Sequence, residues 1–428
     1  LHFRRVERMS FRAADFKRIL PIAMSQTVGV ACGLIGVRIV SRIVPPAALG
    51  TYGVFLTFTT MGASFIHAGV VKFIGRHWAR HFHQDAFVRT ASRAWLRKLP
   101  WLILGTVAAA AALSRSSPNG FLVTWPPLLI AATGLSLGAI AQMALQSIRR
   151  NWSDFVVSAS GSVTRTFAPP LIFLAAHGAM AGLYFGFCVH ALCVSVLGIL
   201  LLKPFRAASP APIDAKLSAV YEGPLFFILS LAGWVLMGLN RWVAVEAFGE
   251  TVGGYYTLAG NIAQIIAAVL GAITVQFLQP QLYALADEGT EASHRTLAQW
   301  VDRAAVGVAV AGGAALVVLR WIAPALVGPL IDQKYLLALK WIVPAGCFGL
   351  AVVIGQFFHI MLLAGRRERA CAPVDLIVAI VLIAGSVATA AISQASFQIW
   401  LLSTPLLVLL LNRTLARHYY FQSQPVPA

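Results

Sequence analysis

Four arginines lie inside otherwise apolar runs of this chain: Arg38, Arg42, Arg165 and Arg241. A cation in bilayer hydrocarbon costs at least about 2.5–3.5 kcal/mol on insertion scales, so each needs water, a partner or a ligand. A guanidinium offers a planar fork of donors that matches two oxygens of a phosphate. Arg38 and Arg241 stand near the same end of their runs and at matching positions of an internal repeat. If the two halves close around a cavity, both can face it and hold a diphosphate. Arg42, one turn beyond Arg38, and Arg165, in the run SGSVTRTFAPP, extend that anion site. The competing reading is structural. Arg38 and Arg42 would snorkel to lipid headgroups, Arg241 would pair with Glu246, and Arg165 would anchor a hydrogen bond between helices.

A second group is neutral. Asn261, Gln264, Ala268, Gly271, Val275 and Gln279 fall on one face at helical spacing. Amides beside small residues can hydrogen-bond a sugar, and they equally favour close helix packing. Gln142 and His359 occupy equivalent places ahead of two double-arginine motifs, and His67 is a further polar group in an apolar run. Each is a candidate sugar contact or an ordinary interhelical hydrogen bonder. The acids Glu222, Glu246 and Asp375 fall near the ends of apolar runs, so no central carboxylate is expected for ion coupling. No DxD, GxxxxGK[ST] or HExxH motif occurs. The five cysteines are an odd number without metal-ligand spacing, so neither a disulfide framework nor a metal site is expected. No cofactor is expected either.

The elements that carry these residues follow from composition. Of 428 residues, 59% are apolar and 11% charged. One membrane-spanning helix needs roughly 20 apolar residues. Soluble domains carry about 25% charged residues, so a soluble enzyme and a disordered chain are excluded. The apolar runs are continuous rather than alternating, which argues against an outer-membrane barrel. Hydropathy predicts twelve spans, at 18–44, 51–74, 99–114, 125–148, 155–176, 181–202, 220–247, 255–280, 302–320, 338–364, 372–392 and 397–414. The first run is too long for a signal-peptide core and reads as a span.

The net charge of +18 is unevenly placed. One set of connections holds 25 Lys and Arg, the other only Arg115, Arg320, Lys334 and Lys340. This asymmetry predicts that the rich set and both termini are cytoplasmic. The positive charge is thus assigned to topology, and no nucleic-acid partner is expected. Residues 1–17 form a basic segment for the inner membrane surface, 18–202 an N-terminal six-helix bundle and 203–219 a Pro/Ala/Ser-rich cytoplasmic linker. Residues 220–414 form a second six-helix bundle and 415–428 a cytoplasmic tail. The halves repeat: RIVSRIVPPAALGTYG at 38–53 aligns with RWVAVEAFGETVGGYY at 241–256. Trp95 matches Trp300, and QSIRRNW matches LAGRRER. The fold class predicted is an all-α polytopic membrane protein, with about twelve helices in two repeat-related six-helix bundles around a central cavity.

The segments LGTYGVF, NRWVAVEAFGETVGGYYTLA, VGPLIDQKYLLALKWIVPAG and GRRER come in an order that resembles the polysaccharide-export, Wzx-type oligosaccharide flippases. These belong to the multidrug/oligosaccharidyl-lipid/polysaccharide superfamily. The resemblance covers nearly the whole chain. It implies alternating access and a polyprenyl-diphosphate-linked oligosaccharide as cargo, moved to the outer leaflet of a bacterial cytoplasmic (inner) membrane for O-antigen, capsule or exopolysaccharide synthesis. Many members carry an acid before the span 7 arginine; here the pair is Asn240-Arg241, so no acid–arginine pair carries over. The implied partners are that lipid, the surrounding membrane lipids and other polysaccharide-assembly proteins, with the chain itself a monomer. The alternatives are a related exporter of small molecules or drugs, whose cationic cargo would want acids in the cavity, and a peptidoglycan-precursor flippase, which resembles a fourteen-helix plan. A membrane polymerase or ligase of the same pathway would carry a long external loop that this chain lacks. The expectation is a transporter and not an enzyme.

Overall fold

A computed structural model describes residues 13–81, 85–114, 120–148, 150–202, 224–365 and 367–422. Among these residues there are twelve long α-helices and no strand. They are α1 (Ala13–Ile43), α2 (Pro46–His81), α3 (Asp85–Leu113), α4 (Gly120–Ser147), α5 (Asn151–Ala175) and α6 (Met180–Leu202). The second half holds α7 (Pro224–Phe248), α8 (Glu250–Asp287), α9 (Glu291–Ile322), α10 (Ile342–Ala364), α11 (Glu368–Ile392) and α12 (Gln394–Gln422). Two 3-10 helices, η1 (Ala323–Leu326) and η2 (Gln333–Trp341), join α9 to α10. Residues 1–12 of the predicted N-terminal segment, and the whole of the 203–219 linker, lie outside the described residues.

Nine helical stretches among the described residues are long and apolar enough to cross a bilayer. The outward faces of the helices are apolar: Trp101, Leu122, Leu171, Leu200, Val310, Ile380 and Leu406 are all largely exposed. A soluble protein rarely displays so much contiguous apolar surface; lipid is the solvent that suits it. Helix α5 falls short of the apolar criterion because it carries Ser158, Ser162, Arg165 and Thr166, and all four face cavities or neighbouring helices.

The repeat read in the sequence is built into the helix boundaries. Helices α5 and α11 have the same length and stand at a constant offset of 217 residues, and α4 and α10 end at that same offset. Within each half the helices pack through small residues, as membrane interfaces require. Gly182 and Gly186 of α6 lie against Phe173 and Pro169 of α5, and Gly134 of α4 against Ala191 of α6. Phe55 of α2 stacks on Tyr184 of α6 at 4.2 Å between ring centres. In the second half Tyr256, Trp341 and Phe397 form an aromatic cluster.

The halves meet where α2 crosses α8. Pro46 at the first turn of α2 is a favoured helix start, and Gly249, between α7 and α8, has φ of +86°, which glycine adopts without steric cost. A Cβ at Gly50 would collide with the carbonyl of Glu250, and one at Gly254 with the carbonyl of Pro46. The two contacts are mirror copies under the repeat, so the pseudo-two-fold axis passes between these helix starts.

Helix α12 continues to Gln422, whereas apolarity alone ends its span at 414. The extension carries polar side chains that dock on α9. Arg413 Nε lies 3.2 Å from Asp302 Oδ2, Arg417 pairs with the same oxygen, and the Tyr420 hydroxyl lies 2.6 Å from His294 Nδ1. Hydropathy is blind to such polar docking.

Candidate functional site

A cavity of about 360 Å³ opens between the halves, walled by α1, α2, α5, α6 and α8. Its polar wall groups are Gln26, Tyr52, Ser162, Arg165, Thr166, Thr257, Asn261 and Gln264. None of the described wall residues is acidic. Small residues on one face of α1, Gly29, Gly33 and Gly36, leave room along one side.

Arg165 lines this cavity directly and is largely exposed to it. Its backbone is held by Thr166, whose hydroxyl donates to the Cys32 carbonyl of α1 at 3.0 Å. Arg241 stands behind the wall. Its Nη2 donates to Asn261 Oδ1 and to Gln264 Oε1, each at 3.4 Å, and both amides line the cavity. Arg165 and Tyr52 lie within electrostatic reach of Arg241. Glu246 accepts instead from Trp242 Nε1 at 3.1 Å, so the Arg241–Glu246 pair does not form. Two amide oxygens accept from one guanidinium nitrogen and hold the group without neutralising it, so the positive charge remains available to an anion.

The other arginines are elsewhere. Arg38 donates to the carbonyl of Gly328, in the segment between η1 and η2, and does not line the cavity. Arg42 is exposed and also outside it. Around them the 327–335 segment closes over the end of α1. Ser41 Oγ lies 3.4 Å from the Leu330 carbonyl and accepts from the Asp332 amide at 3.3 Å. Lys334 Nζ donates to the Arg42 carbonyl at 2.8 Å and the Tyr335 hydroxyl to the Val44 carbonyl at 3.0 Å. The last carbonyls of a helix have no partner of their own; here the opposite half of the molecule supplies the donors.

A second cavity of about 400 Å³ lies inside the first half, among α2, α4, α5 and α6. Gln142, His67, Ser158 and His190 are on its wall. Ser162 and Arg165 border both cavities. Gln142 Nε2 donates to Ser158 Oγ at 3.1 Å. His359, its repeat mate, is on neither wall and pairs with Asp375 at 2.9 Å. The structure therefore gathers Arg165, Arg241, Asn261 and Gln264 at one cavity, puts Gln142 in the other, and leaves Arg38, Arg42 and His359 outside both. Of the sequence stripe on α8, only the Asn261 and Gln264 end is placed on the wall; the side chains of Ala268, Val275 and Gln279 lie outside the described residues. Sequence reading missed Tyr52, Thr257, Ser162 and His190. Their only signal was polarity within apolar runs, which is too common in membrane helices to single them out.

No protein-family model matches the chain, and no curated protein matches it. Solved structures do. A point mutant of the Vibrio cholerae MATE transporter VcmN superposes with a TM-score of 0.63 at 12% identity, over 95% of this chain and 98% of the other. The lipid II flippase MurJ, in an inward closed conformation, gives 0.61 at 11% identity, over 94% and 87%. The chain shares the overall fold of these two proteins. A third MOP transporter, from Pyrococcus furiosus, gives 0.60 at 12% identity over 94% and 95%, and is described as having a binding pocket of reversed polarity.

Proposed function

We propose that this chain is a flippase of the polysaccharide-export type. It carries polyprenyl-diphosphate-linked oligosaccharide from the inner to the outer leaflet of a bacterial cytoplasmic membrane for surface polysaccharide synthesis. The observation that carries this reading is the central cavity, where Arg165 lines a wall without a described carboxylate and Arg241 stands behind that wall, held by its amides Asn261 and Gln264. Such a cavity is matched to an anion and mismatched to a cationic drug. The fold fits, since one of its solved relatives is described as a lipid II flippase.

The mechanism follows from the two positions of the arginines. With both termini cytoplasmic, the end closed by Gly50, Gly254 and the 327–335 segment faces outward. Diphosphate entering from the cytoplasmic side meets Arg165 and Arg241 first. Opening of the outer end releases Arg38 from Gly328, and Arg38 and Arg42 then take the anion outward. The interior-negative membrane potential favours that direction, by about 2.3 kcal/mol per charge per 100 mV.

The test is transport by purified protein in liposomes. A fluorescent polyprenyl-diphosphate oligosaccharide, placed in both leaflets, should become accessible to an impermeant quencher or glycosidase at a rate proportional to protein. Rates equal to empty liposomes, with protein shown to be inserted, would refute the reading.

A further inference from the structure

Several polar residues of the cavity inside the first half meet apolar or paired residues at the repeat-related positions of the second. At the offset of 217 residues, Arg165 corresponds to Leu382, which is buried. At the offset of 204 residues that relates Pro46 to Glu250 and Gly50 to Gly254, His67 corresponds to Gly271, which is buried against Val353. Gln142, bonded to a serine at the cavity wall, corresponds to His359, which is locked to Asp375 beside the fully buried Phe357 and Phe358. At these positions the first half is polar where the second is apolar or ion-paired.

The chemistry of that space is specific. Thr60, Ser64 and His67 face it from α2, Gln142 from α4, Ser158 from α5 and His190 from α6. These groups both donate and accept hydrogen bonds, as sugar hydroxyls do. None of the described wall residues is acidic. His67 Nδ1 is buried, with the Ala63 carbonyl one turn earlier as its neighbour. Ala63, Ala139 and Gly161 keep the walls small. The volume of about 400 Å³ falls in the range of small-molecule sites. Arg165, on both walls, stands at the threshold to the central cavity.

We propose that this chamber is a glycan subsite, which takes the uncharged, hydroxyl-rich sugar units next to the diphosphate while Arg165 holds the phosphate they hang from. The proposal rests on the flippase reading and deepens it. The two cavities then divide one substrate: charge in the centre, sugar in the first half.

The experiment uses the full chain in nanodiscs and two probes. One is a short-chain polyprenyl diphosphate without sugar, the other the same carrier bearing a neutral disaccharide of N-acetylglucosamine. The sugar-bearing probe should bind about tenfold more tightly or better, as expected where sugar hydroxyls add a few hydrogen bonds to the site. In Gln142→Leu and His67→Leu the ratio of the two affinities should fall towards one. A ratio that survives in both variants overturns the chamber. Because either variant can misfold, a second measurement keeps the chain polar. Ser64→Cys, in a version with its five native cysteines replaced, is labelled with a small maleimide. The sugar-bearing probe should slow labelling at least fivefold more than the bare one; equal slowing overturns the proposal. If the bare lipid binds and the sugar adds nothing, the chamber fails and the flippase reading stands. If neither probe binds, both fall.

Discussion

His359 Nδ1 lies 2.9 Å from Asp375 Oδ2, at the positions where the first half places the Gln142 amide 3.1 Å from Ser158. Both pairs join the fourth and fifth helices of their halves at the common offset of 217 residues. The repeat thus preserves a hydrogen bond between helices while its chemistry has diverged from neutral to ionisable. Asp375→Ala alone should strip His359 of its partner and cost about 1–3 kcal/mol, the penalty of an unsatisfied buried polar group. The double change His359→Gln/Asp375→Ser rebuilds the pair of the first half and should recover most of that loss. Thermal unfolding in detergent measures both. A double variant as unstable as Asp375→Ala would show that the two pairs are not interchangeable.

The helices and their repeat were legible in the sequence because apolar length and local motifs encode them directly. The site was legible only in part. Arg38 and Arg241 are equivalent in the repeat, yet the structure treats them differently: one meets Gly328 and the other meets Asn261 and Gln264. A sequence repeat fixes the depth of a residue in its helix. It does not fix which neighbour reaches it, because the 323–341 insertion exists at one end only and covers α1. Asp375 was read as lying near a helix end; its pairing depends on the packing of α10 against α11, which no local pattern reports.

Asp154 provides a prediction on pH. It sits in the first turn of α5, at the predicted end of the span, and Gln146 Nε2 donates to its carboxylate at 3.2 Å. Burial raises its pKa, and the Gln146 hydrogen bond opposes that rise only in part. A raised carboxyl binds its proton more tightly in the folded state, so ionisation at neutral pH costs stability. Asp154→Asn removes the charge and keeps an acceptor for Gln146. It should raise the unfolding temperature at pH 7.5. The gain should shrink as pH falls through the raised pKa and vanish below the ordinary carboxyl value of 3.8. A gain that is constant from pH 7.5 to pH 4 would exclude burial of the charge as its cause.

The closure of α1 by the 327–335 segment predicts a shift of conformation. Tyr335→Phe removes the donor to the Val44 carbonyl and should cost the closed state about 1–3 kcal/mol. Each 1.4 kcal/mol shifts a two-state population about tenfold. Gly254→Ala acts on the same end by a different cause, since its Cβ would meet the Pro46 carbonyl. Spin labels placed on Ala47 and Thr251 should move to longer distances in both variants, and the wild-type distribution should return only when glycine is restored. Unchanged distances would mean that this end is held by other contacts.

The arginines separate binding from gating. Arg165→Ala removes a charge from the central cavity and Arg241→Ala one from behind its wall. Charge-assisted hydrogen bonds are worth about 1.5–3 kcal/mol, so each variant should lower the flipping rate roughly tenfold to a hundredfold. Arg165→Lys and Arg241→Lys should retain part of the rate, because charge survives while the bidentate fork is lost. Arg38 contributes to the closed end through Gly328, and on the proposed mechanism it also receives the diphosphate once that end opens. The two roles predict different double variants. If Arg38 serves closure alone, Tyr335→Phe already removes most of its purpose, and adding Arg38→Ala should change the flipping rate little. If it also takes the anion, Arg38→Ala should abolish flipping in either background, while the closed-end distances in Tyr335→Phe and the double variant stay alike. Measuring rate and distance on the same four proteins decides between them. Full activity of the double variant at wild-type abundance would confine the anion site to Arg165 and Arg241.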